Sequence, residues 1–205
     1  MNEDGNGRPV TDELATGGVA ARSPVGEAPG GPYPIGLMAI LATAAMLFAA
    51  FTAALLVRRT GGDWARVELP PIVWVNAALL LASSAAVELG RRAVRRGALP
   101  LAAPRLATGG ILGALFLAGQ ILAWRALAAR GGFLPTNPYA AFFYMLSAVH
   151  GVHVLGGLGG LGWTLRRTIQ GAYSPARHTG LTHAAIFWHF VGGVWIYLLV
   201  VLSTL

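Results

Sequence analysis

Residues 142–163 read FFYMLSAVHGVHVLGGLGGLGW, and residues 187–205 read FWHFVGGVWIYLLVVLSTL. Neither stretch contains Asp, Glu, Lys or Arg, and each is close to the ~20 helical residues that cross a bilayer. Both nevertheless contain histidine, at His150, His153 and His189. Because a polar group is costly inside a membrane, each imidazole is expected to have a partner or a function there. The two stretches predict membrane-spanning helices that face other protein.

The composition of the whole chain indicates the same class. Hydrophobic residues make up 55% of the chain and charged residues 11%, whereas soluble domains have about 25% charged residues. The net charge of +7 comes from arginines in short segments beside apolar runs, which is typical of membrane orientation and does not favour nucleic-acid binding. The absence of cysteine excludes thiolate metal sites and cysteine-linked haem.

Five apolar runs are long enough to span a membrane, so we predict an all-α membrane protein built as a five-helix transmembrane bundle. The predicted spans are residues 35–57, 69–89, 106–124, 139–165 and 184–205. Residues 1–34 are rich in Gly, Pro, Asp and Glu and contain no apolar run. They predict a disordered N-terminal tail ahead of a membrane domain over residues 35–205.

Arginines are divided unequally between the two sides of these spans. Ten lie on the side of the N-terminus: Arg8, Arg22, Arg91, Arg92, Arg95, Arg96, Arg105, Arg166, Arg167 and Arg177. Five lie on the other side: Arg58, Arg59, Arg66, Arg125 and Arg130. The positive-inside bias therefore predicts a cytoplasmic N-terminus and a C-terminus outside, in the periplasm. Arg91, Arg92, Arg166 and Arg167 are also candidate contacts for anionic lipid headgroups.

The histidines permit three interpretations. His150 and His153 share a helix face near mid-bilayer, where interhelical hydrogen bonds are possible beside small residues such as Gly151 and Gly192. Ligation of haem or a metal would use His189 as a further ligand, and a proton relay would use neutral imidazoles. No Asp, Glu or Cys is predicted at membrane depth nearby, so hydrogen bonding is the preferred interpretation. We assign no metal-binding, cofactor-binding or catalytic residue to the chain.

The other polar residues of the spans predict contacts between helices. Asn76, Gln120, Ser83 and Ser84 are expected to donate or accept interhelical hydrogen bonds. Glu88 lies near a helix end and is expected to pair with arginines at 91 and 92.

Two pairs of glycines have the G-x-x-x-G spacing that permits close helix packing. They are Gly109 with Gly113, and Gly156 with Gly160.

Several of these segments together resemble a known family. The string H-G-x-H-V-x-G-G at His150 to Gly157 resembles the penultimate helix of subunit III of haem-copper cytochrome oxidases, and W-H-F-V-x-x-V-W at Trp188 to Trp195 resembles its last helix. Asn76, the serines at 83 and 84 and Gln120 are similar to earlier family positions. The resemblance covers residues 35–205 and implies the shorter, five-helix form of the family.

What the resemblance implies is a non-catalytic subunit of a terminal oxidase in the aerobic respiratory electron transport chain. Such a subunit packs on catalytic subunit I, which together with subunit II belongs to an oxidoreductase and proton-translocating complex containing haem and copper. It binds phospholipid and sustains turnover and proton uptake. Trp188 and Trp195 join the histidines as candidate interhelical or lipid contacts. Arginine usage without lysine indicates a GC-rich bacterium and hence its plasma (inner) membrane.

Three acidic positions of the family pattern are replaced here, by Ala44, Thr182 and Gly192. These replacements argue against proton relay by the subunit itself. Two alternatives stay open at this point: a b-type haem membrane anchor, and an accessory subunit of a quinol oxidase or nitric oxide reductase.

Overall fold

The structure is a computed structural model that describes residues 32–64, 67–130 and 137–204. This part of the chain contains five helices, each long and apolar enough to cross a membrane. They are α1 Pro32–Arg58, α2 Ile72–Arg95, α3 Leu99–Ala129, α4 Pro138–Ile169 and α5 Thr179–Thr204. The prediction of a five-helix all-α membrane protein is confirmed. The predicted tail lies almost entirely outside the described residues.

All five helices extend beyond their predicted spans at one end or both, and α2 and α3 do so by the most residues. Helix α2 continues to Arg95, because arginine is a good helix former and its side chain reaches past the hydrocarbon layer. Helix α3 begins at Leu99 rather than at residue 106. Pro100 lies in its first turn, where the missing N–H has no intrahelical acceptor to lose, but Pro104 is inside the helix. Both extensions lengthen the arginine-bearing end of the bundle.

Four of the helices form a closed ring. Helix α2 packs on α3, α3 on α4, α4 on α5, and α5 back on α2. Helix α1 is different, because none of its backbone comes as close to another helix as these pairs do. It contacts the ring through side chains, with Phe48 buried and Thr52 Oγ1 accepting a hydrogen bond of 3.0 Å from the Tyr197 hydroxyl. The bundle is a four-helix core with one loosely attached helix.

Glycine permits close packing at some of the predicted positions and not at others. A Cβ added to Gly109 would lie 2.6 Å from Val87 Cγ2, and one added to Gly113 would lie 2.6 Å from the Trp188 ring. By contrast, a Cβ added to Gly156 or Gly160 would meet nothing within 4 Å. The prediction is therefore confirmed for the pair on α3 and wrong for the pair on α4, which meets no neighbouring helix among the described residues.

The connections between helices gather at two ends. The α2–α3 and α4–α5 connections meet at one end, where a Cβ added to Gly97 would lie 3.8 Å from Pro175. At the other end, the ring of Trp64, which follows α1, lies 5.7 Å from that of Tyr139 at the start of α4. The Tyr139 hydroxyl donates to the Leu202 carbonyl near the end of α5. Arginines from α2, α3 and α4 therefore share one end of the bundle.

Candidate functional site

Helices α2, α3 and α5 meet at a serine. Trp188 Nε1 on α5 donates a hydrogen bond of 3.0 Å to Ser83 Oγ on α2, and that hydroxyl donates to the Gly109 carbonyl of α3 at 2.6 Å. Ser83 and Trp188 are both almost completely buried. The missing side chain at Gly109 leaves the carbonyl accessible to the hydroxyl. One small polar residue thus joins three helices, as the sequence predicts for Ser83.

A second polar contact joins α2 and α5 further along the same faces. Ser84 Oγ forms a short hydrogen bond with His189 Nδ1, and His189 Nε2 lies 3.6 Å from Glu88 Oε2. Glu88 also accepts hydrogen bonds of 2.8 Å from Arg91 and Arg92. The expected Glu88–arginine pairing is confirmed. The expectation that no carboxylate lies near the histidines is wrong, because the helix brings Glu88 to the same face as Ser84.

His150 and His153 do not make the expected interhelical hydrogen bonds. His153 Nδ1 contacts the Val149 carbonyl of its own helix at 2.8 Å, and neither ring nitrogen of His150 has a hydrogen-bond partner among the described residues. His150 is 1% exposed and stacks on Trp195, with ring centroids 5.0 Å apart. Phe48 contacts both imidazole rings. The surroundings of His150 are aromatic rather than polar, which corrects the hydrogen-bonding interpretation.

A long polar contact joins α2 and α3 elsewhere in the buried core. Asn76 Nδ2 on α2 donates to Gln120 Oε1 on α3 at 3.4 Å, as expected for an interhelical pair. Within the described segments, Gln120 Nε2 and Trp195 Nε1 have no hydrogen-bond partner. Gln120 lies one helical turn from Phe116, whose ring contacts both His150 and Trp195. The buried polar groups of the core are therefore only partly satisfied by protein.

An apolar groove separates α1 from α5. Its volume is about 370 Å³. It is lined by Ala45, Phe48, Ala49, Phe190, Gly193, Val194 and Tyr197. The groove exists because helix α1 stands apart from the ring and because Gly193 carries no side chain to fill the space.

A charged pocket of about 350 Å³ lies at the C-terminal end of α2. It is lined by Glu88, Arg91, Arg92, Arg95 and Arg96. The four arginines and one glutamate give the pocket a net charge of +3. Cations are favourable at this end of a helix, because the last carbonyls carry partial negative charge.

Arg166 and Arg167 lie at the same end of the bundle and outside this pocket. Both are exposed, and the Arg167 guanidinium lies 5.6 Å from the centre of the Trp163 ring. In the connection that follows, burial raises the pKa of Tyr173 above its ordinary value, and the nearby charge of Arg167 lowers it by a smaller amount. Arg167 therefore contacts an aromatic ring.

The candidate residues His150, His153 and His189 do not converge on one point. Phe48 of α1 contacts the rings at positions 150 and 153, whereas the ring at 189 is directed at Ser84 and Glu88 on α2. Among the residues that the structure describes, no three His, Cys, Asp or Glu side chains are grouped in a way that could hold a metal ion. Each of the three imidazoles therefore contacts a side chain of another helix.

The Glu88–His189 approach is the contact that sequence reasoning missed. The spacing in the sequence already indicated part of this contact, because Ser84 and Glu88 are four residues apart and therefore lie on one helix face. What the sequence did not reveal is that this face packs against His189 of α5.

Comparison with known proteins agrees with the fold. The family model described as cytochrome c oxidase subunit III matches residues 35–204. A cytochrome c oxidase subunit 3 from Thermostichus vulcanus is 32% identical over 179 residues, which cover 83% of this chain and 86% of that protein. A probable cytochrome c oxidase subunit 3 from Mycobacterium bovis is 30% identical over 177 residues, covering 82% and 85%. A Synechocystis cytochrome c oxidase subunit 3 is 32% identical, covering 81% and 72%. The chain therefore belongs to the cytochrome c oxidase subunit III family.

Proposed function

We propose that this chain is the non-catalytic subunit III of a haem-copper terminal oxidase in the aerobic respiratory chain of a bacterium. Family membership supports a place in a complex with other oxidase subunits. In this proposal subunits I and II hold the haem and copper, and this chain packs on subunit I. The relatives are named as cytochrome c oxidase subunits, which supports cytochrome c rather than quinol as the electron donor of the complex.

The orientation belongs to the same proposal. The connection after α2 and the connection after α4 share the end at which Arg91, Arg92, Arg95 and Arg96 lie. The positive-inside bias supports placing this end in the cytoplasm of a multi-pass plasma membrane protein, with the C-terminus on the outer side.

The specific role that we propose is to hold phospholipid against the complex and so to sustain turnover and proton uptake. The observation that carries it is the groove between α1 and α5, which is lined by apolar and aromatic residues and has a volume of about 370 Å³. Because lipid tails are already in hydrocarbon, an acyl chain would be held in such a groove by van der Waals packing against these side chains and not by transfer from water. Side chains alone hold α1 to the ring, so a lipid would also fill space that protein leaves open.

A first experiment tests membership of the complex. The full-length chain is purified through a tag in mild detergent, and the visible spectrum and the co-purifying subunits are read from one sample. We expect haem and copper to arrive with a larger subunit and to leave when that subunit is removed. Haem retained by this chain alone would overturn the proposal in favour of a b-type haem anchor.

A second experiment tests the lipid role. Leucine at Gly193 would place its side chain in the groove, and a Cβ added there meets nothing within 4 Å. In the Gly193→Leu complex we expect fewer bound phospholipids and faster loss of activity during sustained turnover. Gly110→Leu is the control, since that position is equally open but does not line the groove. Unchanged lipid content and unchanged turnover lifetime in Gly193→Leu would overturn the lipid role.

A further inference from the structure

We infer that the pocket at the end of α2 binds a phosphate group, either in the headgroup of an anionic phospholipid or in a soluble phosphate. This inference deepens the proposed lipid role but concerns a different place in the molecule. The pocket is charged, lies at a helix terminus and has a volume of about 350 Å³, whereas the groove between α1 and α5 is apolar.

The pocket carries more positive than negative charge. The single carboxylate of the pocket, Glu88, is already engaged by Arg91 through two hydrogen bonds of 2.8 Å and by Arg92 through a third. Arg95 and Arg96 have no carboxylate partner within the described ranges. The pocket therefore keeps two unpaired guanidinium groups and a net charge of +3.

Without a bound anion, the spacing of the arginines makes the surplus positive charge of the pocket unfavourable. Arg91 and Arg95 are four residues apart on the helix, as are Arg92 and Arg96, and like charges at this spacing repel each other. The helix terminus offsets part of that repulsion, but it does not explain why four guanidinium groups line one cavity. A bound anion would contact several of them at once and offset part of the surplus charge.

Phosphate is the anion whose chemistry fits best. The planar guanidinium donates paired hydrogen bonds that match phosphate oxygens, and several arginines around one phosphate use this geometry together. The position of the pocket also suits a lipid headgroup, because the pocket lies where a membrane-spanning helix ends. Leu89, next to Glu88 in the chain, is 48% exposed and could contact an acyl chain beside the headgroup.

The site also has a connection into the bundle. Glu88, which lines the pocket, lies 3.6 Å from His189, and that imidazole contacts Ser84. An anion that draws Arg91 or Arg92 away from Glu88 would strengthen the interaction of the carboxylate with the imidazole. Anion binding in the pocket is thus expected to strengthen the contact between Glu88 on α2 and His189 on α5.

The test uses the full-length chain together with the subunits that co-purify with it. We compare binding of cardiolipin, phosphatidylcholine and inorganic phosphate to the native protein and to the double variant Arg95→Gln/Arg96→Gln. Arg105→Gln/Arg177→Gln is the matched control, because it removes the same charge at the same end of the bundle, outside the pocket and away from the arginines that are candidate lipid contacts. Native mass spectrometry counts bound lipid, and ³¹P NMR measures binding of inorganic phosphate.

We expect the pocket variant to lose at least about tenfold in affinity for the anion that the native protein binds, and the control to lose much less. Loss of cardiolipin binding with no phosphate binding identifies a lipid headgroup, and loss of phosphate binding identifies a soluble source. Equal losses in the pocket variant and the control, or no loss in either, would overturn the inference. Phosphatidylcholine bound as tightly as cardiolipin would overturn it as well.

Failure of the phosphate-binding inference can be distinguished from failure of the proposed lipid role of the groove. Gly193→Leu blocks the groove and leaves the arginine pocket intact, so its affinity for the anion is expected to stay unchanged. If Gly193→Leu releases lipid but the pocket variant does not lose an anion, only the inference fails. If the pocket variant loses its anion but Gly193→Leu has no effect, only the lipid role of the groove fails.

Discussion

Glu88 Oε2 on α2 lies 3.6 Å from His189 Nε2 on α5, and this approach joins two helices at the arginine-rich end of the bundle. The Ser84 hydroxyl forms a hydrogen bond with His189 Nδ1, and Nε2 of the same ring faces the carboxylate. The same carboxylate accepts hydrogen bonds from Arg91 and Arg92. These contacts explain how a membrane-spanning segment retains a charged residue, because each carboxylate oxygen has a partner.

The first prediction concerns removal of that charge. Glu88→Gln weakens the ion pairs with Arg91 and Arg92 and leaves four arginines without a compensating carboxylate. The Glu88 side chain is only 21% exposed, so we expect a loss of about 1–2 kcal/mol in the free energy of unfolding. Thermal unfolding in detergent measures this loss of stability. Glu68→Gln, which removes an exposed carboxylate at the other end, is the control, and equal shifts in the two variants would contradict the prediction.

The number and order of the helices could be predicted from the sequence because membrane-spanning helices need long apolar runs. Their ends could not be predicted in the same way. Hydropathy marks where the apolar run stops, whereas α2 continues through Arg91 to Arg95 because backbone hydrogen bonding does not require apolar side chains. The start of α3 was missed for the same reason, since two prolines and an arginine interrupt the apolar pattern there.

The site was predictable only within single helices. Spacing shows that His150 and His153 share a face, and that Glu88 can reach arginines three and four residues away. It does not show which neighbour each face meets. The aromatic surroundings of His150 arise from Phe48, Phe116 and Trp195 on three other helices, and only their packing together reveals them.

The second prediction concerns His150. Because neither ring nitrogen has a hydrogen-bond partner in the described part of the chain, His150→Leu removes unsatisfied polar atoms and keeps most of the buried volume. We expect the free energy of unfolding to change by less than about 1 kcal/mol. His150→Ala, which leaves a cavity, is expected to cost about 2–4 kcal/mol. Equally large losses for both variants, measured by unfolding in mixed micelles, would mean that the imidazole makes a polar contact through buried water.

The third prediction compares two glycines of α3. Alanine at Gly113 places a Cβ 2.6 Å from ring carbons of Trp188, which is fully buried and cannot move aside easily. Alanine at Gly110 meets nothing within 4 Å. Both substitutions gain similar helix propensity, so their difference isolates the packing. We expect Gly113→Ala to be less stable than Gly110→Ala by about 1–3 kcal/mol, and similar melting temperatures would refute the close packing.

The last prediction is a double-mutant cycle on Ser83 and Trp188. Ser83→Ala removes the acceptor of the Trp188 Nε1 hydrogen bond and the donor to the Gly109 carbonyl, and Trp188→Phe removes only the first of these contacts. The coupling energy between the two substitutions therefore measures the indole–serine bond, which we expect to contribute about 0.6–1.5 kcal/mol in a membrane bundle. Trp195→Phe serves as the control, because Trp195 Nε1 has no partner among the described residues and Ser83→Ala should not couple to it. A coupling energy for Trp188 no larger than that for Trp195 would mean that the Ser83 hydroxyl is not an energetic link between these helices.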